Sequence, residues 1–288
     1  MSGAKVGFVG LGAMGAGMSR QLLAAGFAVH GYDVKDEAAA ELAAAGGVAA
    51  ATPAEAAEGA SLLFVVVFTA AQAEEVLFGD HGAAATLASG ATVCNHATTS
   101  PEQAKALERR CEAAGLLFID APVTGGKAGA DEGTLTVIAS GPPAAFAAAS
   151  TALEAMSGRV YNCGESAGAA STVKMANQML VGVHAVAAAE AISMARRGGA
   201  DPAVVHNVIK HGMGNSLVWE QWTPKMLEGD FEGMGGTGLA IMRKDLGIAT
   251  GQHPSCPCGP RPLRAILPRP SIERLLMGWR AAQLRGAT

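Results

Sequence analysis

Gly10-Leu11-Gly12-Ala13-Met14-Gly15 joins a short apolar strand, Lys5 to Gly10, to a helix predicted from Ala13 to Leu23 and closed by Gly26. In this G-x-G-x-x-G spacing each glycine has its own physical task. Gly10 permits the tight turn, Gly12 leaves the backbone bare so that a pyrophosphate can approach, and Gly15 lets the helix pack on the strand. The helix start then offers N–H groups and the positive end of its dipole to the phosphates. A second predicted strand, Val29 to Asp33, ends on a carboxylate 18 residues past Gly15. An acid there accepts both ribose hydroxyls of NAD and repels the 2′-phosphate of NADP, although Lys35 stands close by. The pattern therefore predicts NAD as cofactor, bound by Gly10, Leu11, Gly12, Ala13, Met14, Gly15 and Asp33. The bland alternative is a structural turn followed by a surface aspartate.

Outward from this loop, short apolar strands keep alternating with Ala-rich helices. Leu62 to Phe68 is apolar on both faces, and Thr92 to Asn95, Leu117 to Asp120 and Thr134 to Ser140 are further strand candidates. Continuously apolar strands between helices imply a parallel sheet covered on both sides. The fold class is thus α/β: a Rossmann-type doubly wound domain over residues 1–164, followed by an all-helical domain. In that second part, over residues 165–252, helices are predicted at Val173 to Arg197, Pro202 to Lys210 behind the cap Asp201, Trp219 to Leu227, and Leu239 to Thr250. Residues 253–288 change style. They hold six of the thirteen prolines, six arginines, no lysine and one acid, which cannot continue a helix bundle. Two readings stand for them, a divergent tail or an altered terminus.

Composition excludes several classes. With 288 residues, half apolar and 16% charged, the chain can bury a sizeable core. A net charge of -4 with no basic stripe argues against a nucleic-acid partner. The apolar stretch from Val173 to Ala195 contains Lys174, Asn177, Gln178, His184 and Glu190, too polar for a membrane span and suited to a helix buried between domains. The start runs straight into a strand, so no signal or transit peptide is expected. The five cysteines lack metal-site spacing, and Cys256-Pro257-Cys258 has a single intervening residue, so no metal is expected and a reduced, cytoplasmic protein is. No Gly-x-Ser-x-Gly elbow, His-Glu-x-x-His or Walker loop offers a competing chemistry.

Two more stretches carry chemistry. Thr124-Gly125-Gly126 follows a strand end and a proline, and its hydroxyl and bare backbone N–H groups can grip a substrate carboxylate, where the plain reading is a Gly-Gly turn. Lys174 opens a helix that is otherwise nearly uncharged. It is either a snorkelling surface lysine or a group in a partly dry cleft, able to serve as acid and base. Asn177 and Gln178 lie one turn on, at i+3 and i+4 from it.

Four stretches in order resemble the β-hydroxyacid dehydrogenase family, which includes 3-hydroxyisobutyrate dehydrogenases. They are the opening loop continued as Gly15-Ala16-Gly17-Met18, then Asp120-Ala121-Pro122-Val123-Thr124-Gly125-Gly126, then Gly168 to Gln178 around Lys174, and Lys244-Asp245-Leu246-Gly247. The resemblance covers roughly residues 4 to 251. It implies hydride transfer between NAD and a small hydroxy acid, with Lys174 as general acid/base. Thr124, Gly125, Gly126, Asn177 and Gln178 would then hold the substrate, and Lys244, oriented by Asp245, would reach the cofactor. Asn95-His96-Ala97-Thr98 resembles a family segment reading Asp-x-Ser-Thr, which implies that Thr98 lies near the nicotinamide; His96 reads as an unpaired loop histidine without a catalytic part. Thr124 stands where the family has Ser, and Gln178 where it has Asn. The longer amide shifts the expectation from 3-hydroxyisobutyrate towards C4 sugar acids, in the L-threonate dehydrogenase branch, as does His211 to Ser216. The resemblance further implies a homo-oligomer, dimer or tetramer. Two rival readings are a non-catalytic NAD-binding or assembly member with an incomplete C-terminal domain, and an imine reductase relative, which would typically lack the lysine.

Overall fold

A computed structural model describes residues 3–230 and 239–250. The chain begins β1 (Lys5–Val9), α1 (Gly15–Ala24), β2 (Ala28–Tyr32), α2 (Asp36–Ala44), β3 (Val48–Ala49) and α3 (Pro53–Ala57). It continues β4 (Leu62–Val65), α4 (Ala70–Phe78), β5 (Thr92–Asn95), α5 (Pro101–Ala113) and β6 (Leu117–Asp120). These six strands make one parallel sheet in the order β3-β2-β1-β4-β5-β6, the doubly wound arrangement expected from the sequence. Chain order reverses between β1 and β4, and such sheets bind ligands outside the carboxyl ends of the strands at that reversal. Helices cover both faces. Phe8, Phe64 and Ile119 pack with Met18 and Leu22 of α1 on one side, while Leu63, Val65 and Phe118 pack with Leu77 of α4 and Leu107 of α5 on the other. Every residue of β4 is consequently buried, which is why its sequence shows no alternation.

Beyond β6 the structure departs from the expectation. The chain forms β7 (Val123–Thr124), α6 (Gly126–Glu132), β8 (Leu135–Ala139), α7 (Pro143–Ala155) and β9 (Ser157–Asn162). The strand expected at Thr134 to Ser140 does not extend the parallel sheet. It is the centre of a second, three-stranded sheet, antiparallel to β7 and parallel to β9. An apolar run shows that a strand is buried but not which strand it pairs with. A single antiparallel bridge, Asp120 to Ser140, joins the end of β6 to the end of β8. Helix α6 lies closely on α1. A Cβ on Gly17 would stand 2.6 Å from the carbonyl carbon of Ala130, the Gln21 amide donates to the Asp131 carbonyl at 2.6 Å, and Arg20 pairs with the Asp131 carboxylate.

The remaining helices are α8 (Ala169–Arg197), α9 (Pro202–Lys210), α10 (Leu217–Glu228) and α11 (Leu239–Ala249). Contacts divide the chain into two units, Met1–Met175 and Ala176–Thr288, so the first turns of α8 belong to the first unit. Within the second unit Ala188, Ile192 and Trp219 form a small buried cluster, and Gly182 lets α8 approach Leu246 of α11, which a Cβ there would meet at 2.9 Å. Helix α8 has the length and the mean hydropathy, 1.3, of a membrane span, yet two of its polar side chains, Lys174 and Gln178, are buried within the protein. The Pro/Arg-rich stretch from 253 to 288, with Cys256 and Cys258, lies outside the described residues.

Candidate functional site

The loop after β1 separates the tasks of its glycines by geometry. A Cβ on Gly10 would stand 2.1 Å from the Val66 carbonyl oxygen, and one on Gly15 would stand 1.8 Å from the Gly10 carbonyl oxygen. Those two glycines are needed for the fold itself. Gly12 is different: it is exposed, and an added Cβ would meet no protein atom within 4 Å. Its bareness answers to something outside the protein. Helix α1 begins without a side-chain cap and without an acid in its first turn, so its N-terminus is left to attract an anion. Leu11 is buried in the core and offers the site its backbone alone, while Ala13 and Met14 are half-buried at the helix start. Asp33 stands just beyond β2. One of its carboxylate oxygens accepts the Leu11 N–H at 2.7 Å and the other the Lys35 N–H at 3.0 Å. This open cradle, uncapped helix and fixed carboxylate fit a nicotinamide dinucleotide, the cofactor whose binding the first unit provides for.

Lys174 lies on the second turn of α8 and is 6% exposed. Its ammonium donates to the Val123 carbonyl at 2.8 Å. The next residues are Thr124, in β7, then Gly125 and Gly126, whose φ angles of +129° and +66° are strained for any residue with a side chain. The structure therefore brings the lysine together with the Thr124-Gly125-Gly126 loop, which sequence reasoning had joined through resemblance. Thr98 is half-buried in the loop between β5 and α5.

Sequence reasoning missed what holds α8. The helix starts at Ala169, earlier than the predicted Val173, because its N-terminus is capped from a distance. Asp120 is fully buried. One of its carboxylate oxygens accepts the N–H groups of Gly168 and Ser171, both at 3.0 Å, and the other accepts the Ser171 hydroxyl at 3.0 Å. Ser140 accepts the Ala170 N–H at 3.1 Å. Burial raises the Asp120 pKa above the ordinary carboxylate value, opposed by the hydrogen bonds from Ser171 and Gly168. A local capping signal could not reveal these partners, since they lie 30 to 51 residues away in sequence.

His96 is corrected. It is not an unpaired loop residue but a buried one, its Nδ1 bonded to the Ala121 carbonyl at 2.6 Å and its ring stacked on Phe64. Burial lowers its pKa to about 4, so the ring is neutral and its Nδ1 carries the proton that the carbonyl accepts.

In the second unit the amide of Asn177 donates to the Gln178 carbonyl oxygen at 3.0 Å, and the Gln178 amide donates to an Asp245 carboxylate oxygen at 2.5 Å and to the Met242 sulfur at 3.8 Å. Lys244 stands 2.8 Å from the other Asp245 oxygen, as an ion pair without hydrogen-bond alignment. Asp245 is thus beside Lys244, as the sequence suggested. Gln178 is buried and turned to Asp245, a partner the sequence did not indicate.

Comparison with known proteins gives the same outline. A family profile for the NAD binding domain of 6-phosphogluconate dehydrogenase matches residues 5–164, and one for the NAD-binding of NADP-dependent 3-hydroxyisobutyrate dehydrogenase matches residues 168–255. The chain is 44% identical to an L-threonate dehydrogenase of Cupriavidus necator over 254 residues, 88% of this chain and 85% of that one. A crystal structure of a 3-hydroxyisobutyrate dehydrogenase from Salmonella typhimurium is similar with a TM-score of 0.82 at 36% identity, over 98% of this chain and 94% of the other. A structure of Psf3 in complex with NADP+ and 2-OPP is similar with a TM-score of 0.78 at 30% identity, over 87% of each chain.

Proposed function

The chain belongs to the β-hydroxyacid dehydrogenase family and is a nicotinamide-dependent dehydrogenase acting on a CH–OH group; from that premise we propose that it oxidises a C3–C4 hydroxy acid, of which L-threonate is the first candidate, with Lys174 as general acid/base and NAD as cofactor. The observation that carries the reading is the buried Lys174 ammonium on the carbonyl that precedes Thr124-Gly125-Gly126. Thr124 and the N–H groups of Gly125 and Gly126 hold the substrate carboxylate, which leaves the carbinol carbon within the lysine's reach. Neutral Lys174 takes the hydroxyl proton as the C–H bond breaks and the C=O bond forms; in reverse, its ammonium returns the proton. Bound NAD supplies the acceptor for the hydride.

Asp33 supports NAD over NADP, because a fixed carboxylate beside the ribose repels a 2′-phosphate. The family resemblance supports a part for Thr98 and for Lys244 in holding the cofactor. It also supports a part for Asn177 and Gln178 in choosing the acid, and the 44% identity to an L-threonate dehydrogenase supports a sugar acid over 3-hydroxyisobutyrate. We place the enzyme in the cytoplasm as a soluble dimer or tetramer. The test is NAD reduction with a panel of C3–C4 hydroxy acids, using wild type and Lys174→Ala. The variant is expected to lose at least about 100-fold in kcat, while equal turnover by the two proteins sinks the mechanism. Protein that binds NAD but turns over none of the acids would favour a binding or assembly role.

A further inference from the structure

We infer that Asp120 is a positioning residue for proton transfer: its buried carboxylate locks the catalytic lysine and the substrate loop into one hydrogen-bonded ring. The inference rests on the reading of Lys174 given above. Asp120 ends β6 and Val123, three residues on, opens β7, while Ser171 and Lys174 stand three residues apart on α8. Asp120 accepts from Ser171 through both its backbone N–H and its hydroxyl, and Val123 accepts from Lys174. The two contacts close a ring whose sides are the β6–β7 connection and one turn of helix, so the lysine cannot slide along or away from the segment that leads into Thr124 without breaking these bonds. Ser140 strengthens the anchor twice. Its backbone exchanges hydrogen bonds with Asp120 at 3.0 and 2.9 Å, and its hydroxyl caps Ala170. Thr99, next to Thr98, comes within 3.3 Å of the Ser171 hydroxyl and ties in the loop after β5.

Geometry, and not charge, is the point of the arrangement. An asparagine at 120 can keep every contact: its oxygen accepts the two backbone N–H groups, and its NH2 donates to the Ser171 hydroxyl, which then turns toward Thr99. An alanine keeps none of these side-chain contacts and only the backbone pair with Ser140.

The experiment compares full-length wild type, Asp120→Ala, Asp120→Asn, Ser171→Ala and Lys174→Ala, with the hydroxy acid that turns over fastest in the panel and its form deuterated at the carbinol carbon. NAD affinity is titrated in parallel. Misplacement of a catalytic group by about 1 Å costs roughly 100-fold, so Asp120→Ala is expected to lose about that factor in kcat with less than about a threefold change in KM or NAD affinity. Its deuterium isotope effect on kcat is expected to rise as the chemical step becomes limiting. Ser171→Ala is expected to lose about tenfold and Asp120→Asn less than about fivefold, in proportion to the contacts that remain. Where Asp120→Ala does not fold, Ser171→Ala decides. Folded Asp120→Ala or Ser171→Ala with wild-type kcat and isotope effect, beside an inactive Lys174→Ala, overturns this inference alone. Asp120→Asn as damaged as Asp120→Ala overturns it in favour of a charge effect. Lys174→Ala with wild-type kcat overturns the lysine reading and this inference with it.

Discussion

The first unit and the second hold themselves together in different ways. In the first, two large clusters of buried side chains lie on either face of the sheet, and its loops are fixed by remote partners such as Asp33 with Leu11 and Asp120 with α8. In the second, among the described residues, the buried cluster is three residues, α9 buries none of its side chains, and Val204, Val208, Met213 and Leu217 are exposed. Its polar side chains include the linked run Asn177, Gln178, Asp245, Lys244, of which Gln178 and Asp245 are buried. The contrast shows where the sequence can drift. A cofactor loop wired into a core tolerates little change, whereas the described helices of the second unit bury fewer side chains and leave more positions free to vary.

The comparison can be broken most forcefully at the glycine loop. Gly15→Ala is expected to destabilise the protein by at least about 3 kcal/mol, because its Cβ meets a backbone oxygen that cannot move cheaply. Gly12→Ala is expected to leave the melting temperature unchanged and to weaken NAD binding at least about tenfold, by putting a methyl where the pyrophosphate approaches. Thermal unfolding and NAD titration on both variants decide it; equal melting temperatures would show that the loop is not wired in as described.

Acid tests the first unit's core next. His96 is neutral in the fold with a pKa of about 4, against 6.5 for the ordinary group. The unfolded chain therefore binds the extra proton first, and stability falls as pH drops below 6.5 until about 4, where the loss is complete. Between pH 7 and 4.5 this one residue is expected to remove about 2.5 kcal/mol. His96→Asn, which keeps a donor for Ala121, should flatten that part of the curve in urea unfolding at the two pH values. An unchanged slope would assign the acid sensitivity elsewhere.

The second unit provides two smaller probes. Ser216 caps α10 by accepting the Trp219 N–H at 3.0 Å, and Ser216→Ala is expected to cost about 1 kcal/mol. Val208, 66% exposed, should tolerate Ser with a change within about 0.5 kcal/mol. A loss of more than about 1.5 kcal/mol in the purified protein would mean that α9 is covered in solution and that the two units are less different than they look.

The doubly wound sheet was legible because its signals are local. Gly10 to Gly15, the unbroken apolar run at Leu62 and the acid at Asp33 each state their own structure, and the order of the motifs indicated the family. Lys174 stood out because a charge in an apolar helix needs a reason. Features made by distant pairing were not legible. The strand at Leu135–Ala139 shows its burial but not its partner, so the second sheet was missed. The true start of α8 was missed for the same reason: Gly168 and Ala169 carry no capping side chain, and the acceptors come from β6 and the end of β8. His96 reads as an ordinary loop residue until Ala121 and Phe64 are folded around it.

The double grip on Asp33 also bears on any attempt to re-engineer the enzyme's coenzyme preference. Its two oxygens already hold the Leu11 and Lys35 amides, so the acid proposed to discriminate against a 2′-phosphate is at the same time a clip for the turn beside it. Exchanging it for a small neutral residue would discard the proposed discrimination and loosen the turn together. A redesign for the phosphorylated coenzyme has to bring a replacement acceptor for those amides as well as a cation for the phosphate, and a library varying position 33 alone would search the wrong space.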